Sequence, residues 1–207
     1  MSKKVFLGSI LVVLLFFATW LAVDALDASQ QQSWKHLEEE LQTGDIVCRY
    51  GTGVTGRLIV TALNETTPIS HCGIVVKTKD GSLRVIHAVS SAVSDQNGMQ
   101  ECSFQTFANH ARDGSLRVVR YRNLSAEHRR SVATKALDLL KKQVAFDHDF
   151  NVRDHSTIYC SELIYMVFGE QLQLVDFSTD KGVDEGVFGF EWASDTSRFS
   201  RIYWNQN

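Results

Sequence analysis

Three segments of the 207-residue chain carry side chains suited to nucleophilic chemistry. The first is Ile158-Tyr159-Cys160-Ser161-Glu162-Leu163-Ile164-Tyr165, where a cysteine stands at the start of an apolar helix. A thiol there feels the positive end of the helix dipole, which favours thiolate. First-turn N–H groups near Cys160 and Ser161 can receive the charge that develops on an attacked carbonyl oxygen. Tyr159 is placed to line a cleft, to help bind that oxygen, or to pack. The second segment is Ile69-Ser70-His71-Cys72-Gly73-Ile74-Val75-Val76. Here a histidine opens an otherwise apolar strand, a rigid mount for a base, and Gly73 permits close backbone approach beside it. The third is Arg84-Val85-Ile86-His87-Ala88-Val89. If the two strands pair as a hairpin, His71 and His87 lie near the same end. His87 then reaches the distal nitrogen of His71 and fixes its tautomer, the third role in a nucleophile–base–orienter set. The chemistry implied is attack by Cys160 on an amide or ester carbonyl, with His71 as base and His87 as orienter. Glu162, two residues past the cysteine, points away from it and suits capping or a structural ion pair. Singly, each segment also suits an ordinary core cysteine or strand histidine.

These residues need elements to hold them. Residues 30–42 read as a short amphipathic helix ending before Gly44, and Ile46–Tyr50 as a first strand. Residues 56–63 suit a helix, and Asn64–Ser70 a loop. Strands are expected at 71–77 and 83–89 around the turn Lys79-Asp80-Gly81-Ser82, and again at 116–121. Ser125 is a good N-cap for a long helix to about Lys142. A second strong helix, Tyr159–Phe168, is expected to stop at Gly169, and Phe199–Trp204 adds a possible strand. Strands clustered centrally with helices flanking them predict an α+β fold with an antiparallel sheet.

Taken together, the motifs resemble the circularly permuted NlpC/P60 (papain-like) cysteine hydrolases of the YiiX/YaeF-like group. The resemblance rests on His-x-Gly on one strand, Val-Ile-x-Ala on the next, and Tyr-Cys-Ser-Glu-Leu at a later helix. Gly44-Asp45-Ile46, Phe146-Asp147-x-x-Phe150 and Tyr159 before the cysteine add to it, so that it spans roughly residues 43–170. The order His then Cys is the permuted one. One departure is His87, at a position where many members carry glutamate. The resemblance implies a papain-like core, thiol chemistry on amide or ester substrates, and catalytic roles for Cys160, His71 and His87. Peptides, peptidoglycan stem peptides and lipid acyl groups are all candidate substrates. An acyltransferase using the same acyl-enzyme, or a non-catalytic binding module on the same fold, are the rival expectations.

Composition bounds the rest. A hydrophobic share of 44%, a charged share of 22% and a formal net charge of -3 suit a globular chain and argue against a nucleic-acid partner. Lys3 and Lys4 precede an uncharged apolar run, Val5–Val23, followed by Asp24 and Asp27. Such a run can anchor the chain in a membrane, or be removed as a signal peptide after Ala25 or Ala28. Either way residues 29–207 form one domain on the exported side of a bacterial inner membrane or in the periplasm, because the basic flank stays inside. Cys48, Cys72, Cys102 and Cys160 show no Cys-x-x-Cys spacing, so no zinc site is indicated. Gly51-Thr52-Gly53-Val54-Thr55-Gly56 matches a dinucleotide fingerprint but lacks the βαβ series that would support one, and reads as a cleft-side loop. The cluster Asp147, His148, Asp149, Asp154 and His155 reads as a solvated loop rather than a metal site. His36, His110 and His128 read as surface residues. No cofactor is expected.

Overall fold

A computed structural model of the chain describes residues 34–51, 54–112 and 114–204, so the apolar N-terminal run lies outside the described residues. Among the described residues no helix is long and apolar enough to cross a membrane. The chain divides between Glu39 and Glu40. Residues 34–40 are helical, and the body from Glu40 onward carries everything that follows.

Six strands form one antiparallel sheet in the order β4-β3-β2-β1-β5-β6. They are β1 (Ile46–Arg49), β2 (His71–Lys77), β3 (Leu83–Val89), β4 (Gly98–Ser103), β5 (Arg117–Tyr121) and β6 (Phe199–Trp204). Helix α1 (Val54–Ala62) links β1 to β2, α2 (Phe104–Asn109) follows β4, and α3 (Ala126–Lys141) follows β5. The region 51–56 is therefore not all loop, because Val54–Gly56 already belong to α1. Two further elements, β4 and α2, carry no readable period in the sequence. The β4 sequence GMQECS lacks a clean apolar alternation, and its Glu101 is exposed. Helix α2 is six residues long, but its start is marked by Ser103, whose hydroxyl accepts from the Thr106 N–H at 3.0 Å.

Side chains alternate across a strand, and this divides the sheet chemically. Ile46, Cys48, Cys72, Ile74, Ile86 and Ala88 join the main core with Val132, Ala136 and Leu139 of α3 and with Leu163, Ile164 and Val167 of the last long helix. Alternate positions, Arg49, His71 and His87 among them, meet Phe107 of α2 on the other side. Strand β1 pairs with β2 so that Arg49 and His71 are direct cross-strand partners. Strands β2 and β3 pair from Lys77–Leu83 to Ile74–Ile86, and the ladder ends there. His71–Gly73 and His87–Val89 thus extend past the paired region. The central strand is fixed at its start by a buried carboxylate: both oxygens of Asp45 accept from Arg120 of β5, at 2.6 and 2.8 Å. Asp45 also accepts from the Gln42 N–H at 2.8 Å. Burial of that charge is tolerable only because it is fully bonded.

Helix α4 opens at Cys160 and is α-helical to Ile164; the turn then widens into a π-helix, Tyr165–Gln171. It does not stop at Gly169. A Cβ on Gly169 would lie 2.9 Å from the Phe177 ring, so that glycine serves close packing rather than termination. The left-handed residue past the helix end is Gln173, at φ 50°.

Gly73 and Gly81 are glycine for different reasons. A Cβ on Gly73 would meet the Ile86 carbonyl at 2.8 Å and the His87 Cβ at 3.0 Å, whereas Gly81 has open space around it and needs its φ of +87°. Gly73→Ala is expected to lower unfolding stability by about 1–3 kcal/mol through overpacking, and to depress activity because it moves His87. Gly81→Ala is expected to cost about 1–2 kcal/mol of backbone strain and leave activity intact. Urea unfolding with parallel rate measurements checks both; equal activity in the two variants would contradict the assigned role of Gly73.

Candidate active site

The histidines come first, because the sheet fixes them directly. His71 Nε2 lies 2.8 Å from His87 Nδ1. Both rings rest on Phe107, His71 stacked at 5.4 Å between centroids and His87 edge-on at 5.6 Å. The contact consumes the distal nitrogen of His71 and leaves its Nδ1 available. If Nδ1 is to accept a proton, Nε2 carries the hydrogen and donates it to His87 Nδ1, and His87 then carries its own proton on Nε2. That Nε2 is buried and has no partner among the described residues.

Neither imidazole gains charge easily here. Burial, reinforced by His87 and by Arg49, holds His71 well below its ordinary 6.5. Burial, with Arg49 and His110 adding to it, lowers His87 to about 3. Both rings are therefore neutral at physiological pH, the form a general base requires.

Cys160 sits at the mouth of α4 with its thiol almost fully buried. The Cys72 thiol lies against it, with Cys72 Sγ 3.2 Å from the Cys160 carbonyl oxygen. The Cys72 thiol donates its one hydrogen to that carbonyl. This contact and the N–H groups of Cys72, Ser161 and Cys160 itself lower the Cys160 thiol from its usual 9.0, against the opposing effect of burial. Cys72 is pushed the other way, mainly by burial, and holds its proton. The Cys72 N–H can face the sulfur because the β2–β3 ladder has already ended at Ile74.

The structure brings Cys160 and His71 together on the wall of one cavity of about 160 Å³, otherwise lined chiefly by Ile59, Leu63, Val93, Phe146, Phe150 and Phe190. Tyr159 and Ser161 line it too. The Tyr159 hydroxyl is engaged elsewhere, accepting from the Phe188 N–H at 2.7 Å and donating to the Phe188 carbonyl at 3.3 Å. The Ser161 hydroxyl donates to the same carbonyl at 2.7 Å. What these two offer a substrate is ring surface and backbone N–H, not hydroxyl. Glu162 takes the capping role: its Oε2 accepts from the Tyr159 N–H at 3.1 Å, and burial raises its carboxyl to about 8. His155 lies 3.7 Å from its other oxygen.

A second cavity, of about 370 Å³, meets the first at His71, Ile59, Val89 and Val93. Arg49, Gln100, Cys102, Phe107 and His110 line it. A larger cavity, of about 560 Å³ and walled by Glu65, Asp180, Lys181 and Trp192, includes neither Cys160 nor His71. Size does not decide here, because reactive groups converge only on the smaller two.

All four cysteines are free thiols. Asp147 is buried and accepts from the N–H groups of Asp149 and Asn151, at 2.8 and 2.7 Å, so it organises its loop. Among the described residues, no three His, Cys, Asp or Glu side chains come together to hold a metal ion.

Sequence patterns single out Cys160, His71 and His87 but not Arg49, the Cys72 thiol or Phe107. Arg49 carries one faint signal, as the only charge in the strand Ile46–Arg49. Its placement opposite His71 depends on register, which the local pattern does not contain.

Comparisons with known proteins bear on the fold and the family. No curated protein matches the sequence. A crystal structure of the metalloprotein YiiX from Escherichia coli O157:H7 superposes with a TM-score of 0.60 at 19% identity, covering 80% of this chain and 98% of that one. At that identity the likeness is one of fold. Residues 40–194 match the family described as permuted papain-like amidase enzyme, YaeF/YiiX, C92 family. With a sheet, a helix-start cysteine and a strand histidine in the permuted order, the chain belongs to the permuted papain-like amidases of the YaeF/YiiX group, and is a cysteine hydrolase.

Proposed function

We propose that the protein hydrolyses amide bonds through an acyl-enzyme on Cys160, with His71 as general base and acid and His87 as the residue that positions it. The observation carrying this is that Cys160 and His71 share one cavity wall, while the far nitrogen of His71 is bonded to His87. In the first half-reaction, His71 Nδ1 takes the thiol proton as sulfur attacks the carbonyl carbon. Charge on the carbonyl oxygen is met by first-turn N–H groups at Cys160 and Ser161, which need no reorientation at that moment. The C–N bond then breaks, and His71 hands its proton to the leaving amine. In the second half, His71 removes a proton from water, the hydroxide adds to the thioester, and the S–C bond breaks, returning the proton to sulfur.

The lining of the small cavity supports an apolar acyl group. The Lys3–Lys4 flank of the N-terminal run supports placement of the catalytic body outside the cytoplasm.

Two measurements test the mechanism. Hydroxylamine added during turnover of an N-acyl amide is expected to divert the acyl group to a hydroxamate. Cys160→Ala should yield neither acid nor hydroxamate, and His71→Ala should slow both by at least about 100-fold. Hydroxamate formation surviving in Cys160→Ala would remove the acyl-enzyme from the scheme. The second is a pH profile. The base must be neutral, and His71 is held well below 6.5, so the acid limb of kcat/KM should fall below pH 6.5. Arg49→Met removes a nearby positive charge, raises the His71 pKa, and should move that limb upward. A limb at or above 6.5 in the unaltered protein would count against His71 as the base.

A further inference from the structure

The cavity beyond His71 contains a cation without a counter-charge. Arg49 projects from β1 directly opposite His71, and its guanidinium lies 4.4 Å above the Phe107 ring. One nitrogen, Nη1, donates to the Phe107 carbonyl at 2.8 Å. Its Nε is buried and has no partner. Among the described residues no carboxylate lies within ion-pair distance of Arg49, whereas Arg120 is held by Asp45 and Arg198 by Asp180 and Asp195. Among the described residues, the cavity wall includes no aspartate or glutamate. Burial lowers the Arg49 pKa to about 10, which still leaves it charged at neutral pH. A half-buried guanidinium stacked on an aromatic ring, with donors unspent and no acid nearby, is arranged to receive an anion bidentately.

Direction follows from chemistry. His71 gives its proton to the leaving atom, so the departing half of the substrate lies on the His71 side, away from Cys160. The small, mainly apolar cavity at Cys160 then takes the acyl half, and the Arg49 cavity takes the leaving half. Gln100 and His110, also on that wall, supply further polar atoms. We infer that Arg49 selects amides whose amine half carries an anionic group, a carboxylate or a phosphate ester, and that it is a specificity-determining residue for the leaving group. This rests on the hydrolase assignment only for the direction of the substrate; binding of the anion stands on the cavity itself.

The test uses the full chain and four ligands with one shared hexanoyl group: the amides of glycine, phosphoethanolamine, ethanolamine and ethylenediamine. Affinities are measured by calorimetry in Cys160→Ala, where nothing turns over. One or both anionic amides should bind at least about 10-fold tighter than the neutral ethanolamide, and the cationic amide most weakly. Which anionic arm is tighter tells a carboxylate from a phosphate. Adding Arg49→Met should bring the anionic and neutral affinities together, with Arg49→Lys intermediate. The four-ligand comparison needs no change at Arg49, so it stands even if that variant fails to fold. Equal affinity for anionic and neutral amides, or a preference that survives Arg49→Met, overturns the proposal. Steady-state turnover in the unaltered protein separates the two ideas. Charge-selective binding without hydrolysis would defeat the hydrolase mechanism and keep the anion site, while hydrolysis without charge selectivity would do the reverse.

Discussion

Strands β2 and β3 stop pairing after Ile74 and Ile86, and the active-site geometry depends on that ending. A continued ladder would engage the backbone of Cys72, whose N–H instead faces the Cys160 sulfur. It ends where Gly73 brings the strands so close that a Cβ could not fit. His71 and His87 project beside this point and meet across it. A sulfur delivered from the helix side of the sheet can therefore share a cavity with an imidazole from the other side.

The same burial that shapes the site sets its protonation. Low polarity keeps both imidazoles neutral, and hydrogen-bond donors offset its penalty at the sulfur alone. A carboxylate in place of His87 would stabilise an imidazolium at His71. A neutral histidine there stabilises it less, so the arrangement favours proton transfer during attack over a resting ion pair. Arg49 works in the same direction, since its charge disfavours a proton on either ring.

Rigidity comes from polar groups satisfied away from the reacting atoms. Asp45 ties β1 to β5 through Arg120, and β1 carries Arg49 into register with His71. Tyr159 and Ser161 anchor the mouth of α4 to the Phe188 backbone. Glu162 caps the same helix. These bonds hold the chain at positions 159, 161 and 162, on both sides of Cys160, which limits the freedom of the sulfur without touching it.

The nucleophile candidate and both histidines were legible in the sequence because each rests on a local pattern: an apolar helix with a polar start, and two apolar strands joined by a tight turn. The long helix after Ser125 and the strands at 71–77 and 83–89 were legible for the same reason. Strand β4 and helix α2 were not, since one lacks alternation and the other is too short to show a period. Gly169 misled because a glycine that stops a helix and one that admits a neighbouring ring look alike in sequence. Only the tertiary structure decided that Phe107 would support the imidazoles, that Cys72 would lie against Cys160, and that Arg49 would face His71. Those are matters of register and of packing between distant segments, and no spacing along the chain encodes them; the sequence determined which groups could react, and the assembled sheet decided which of them meet.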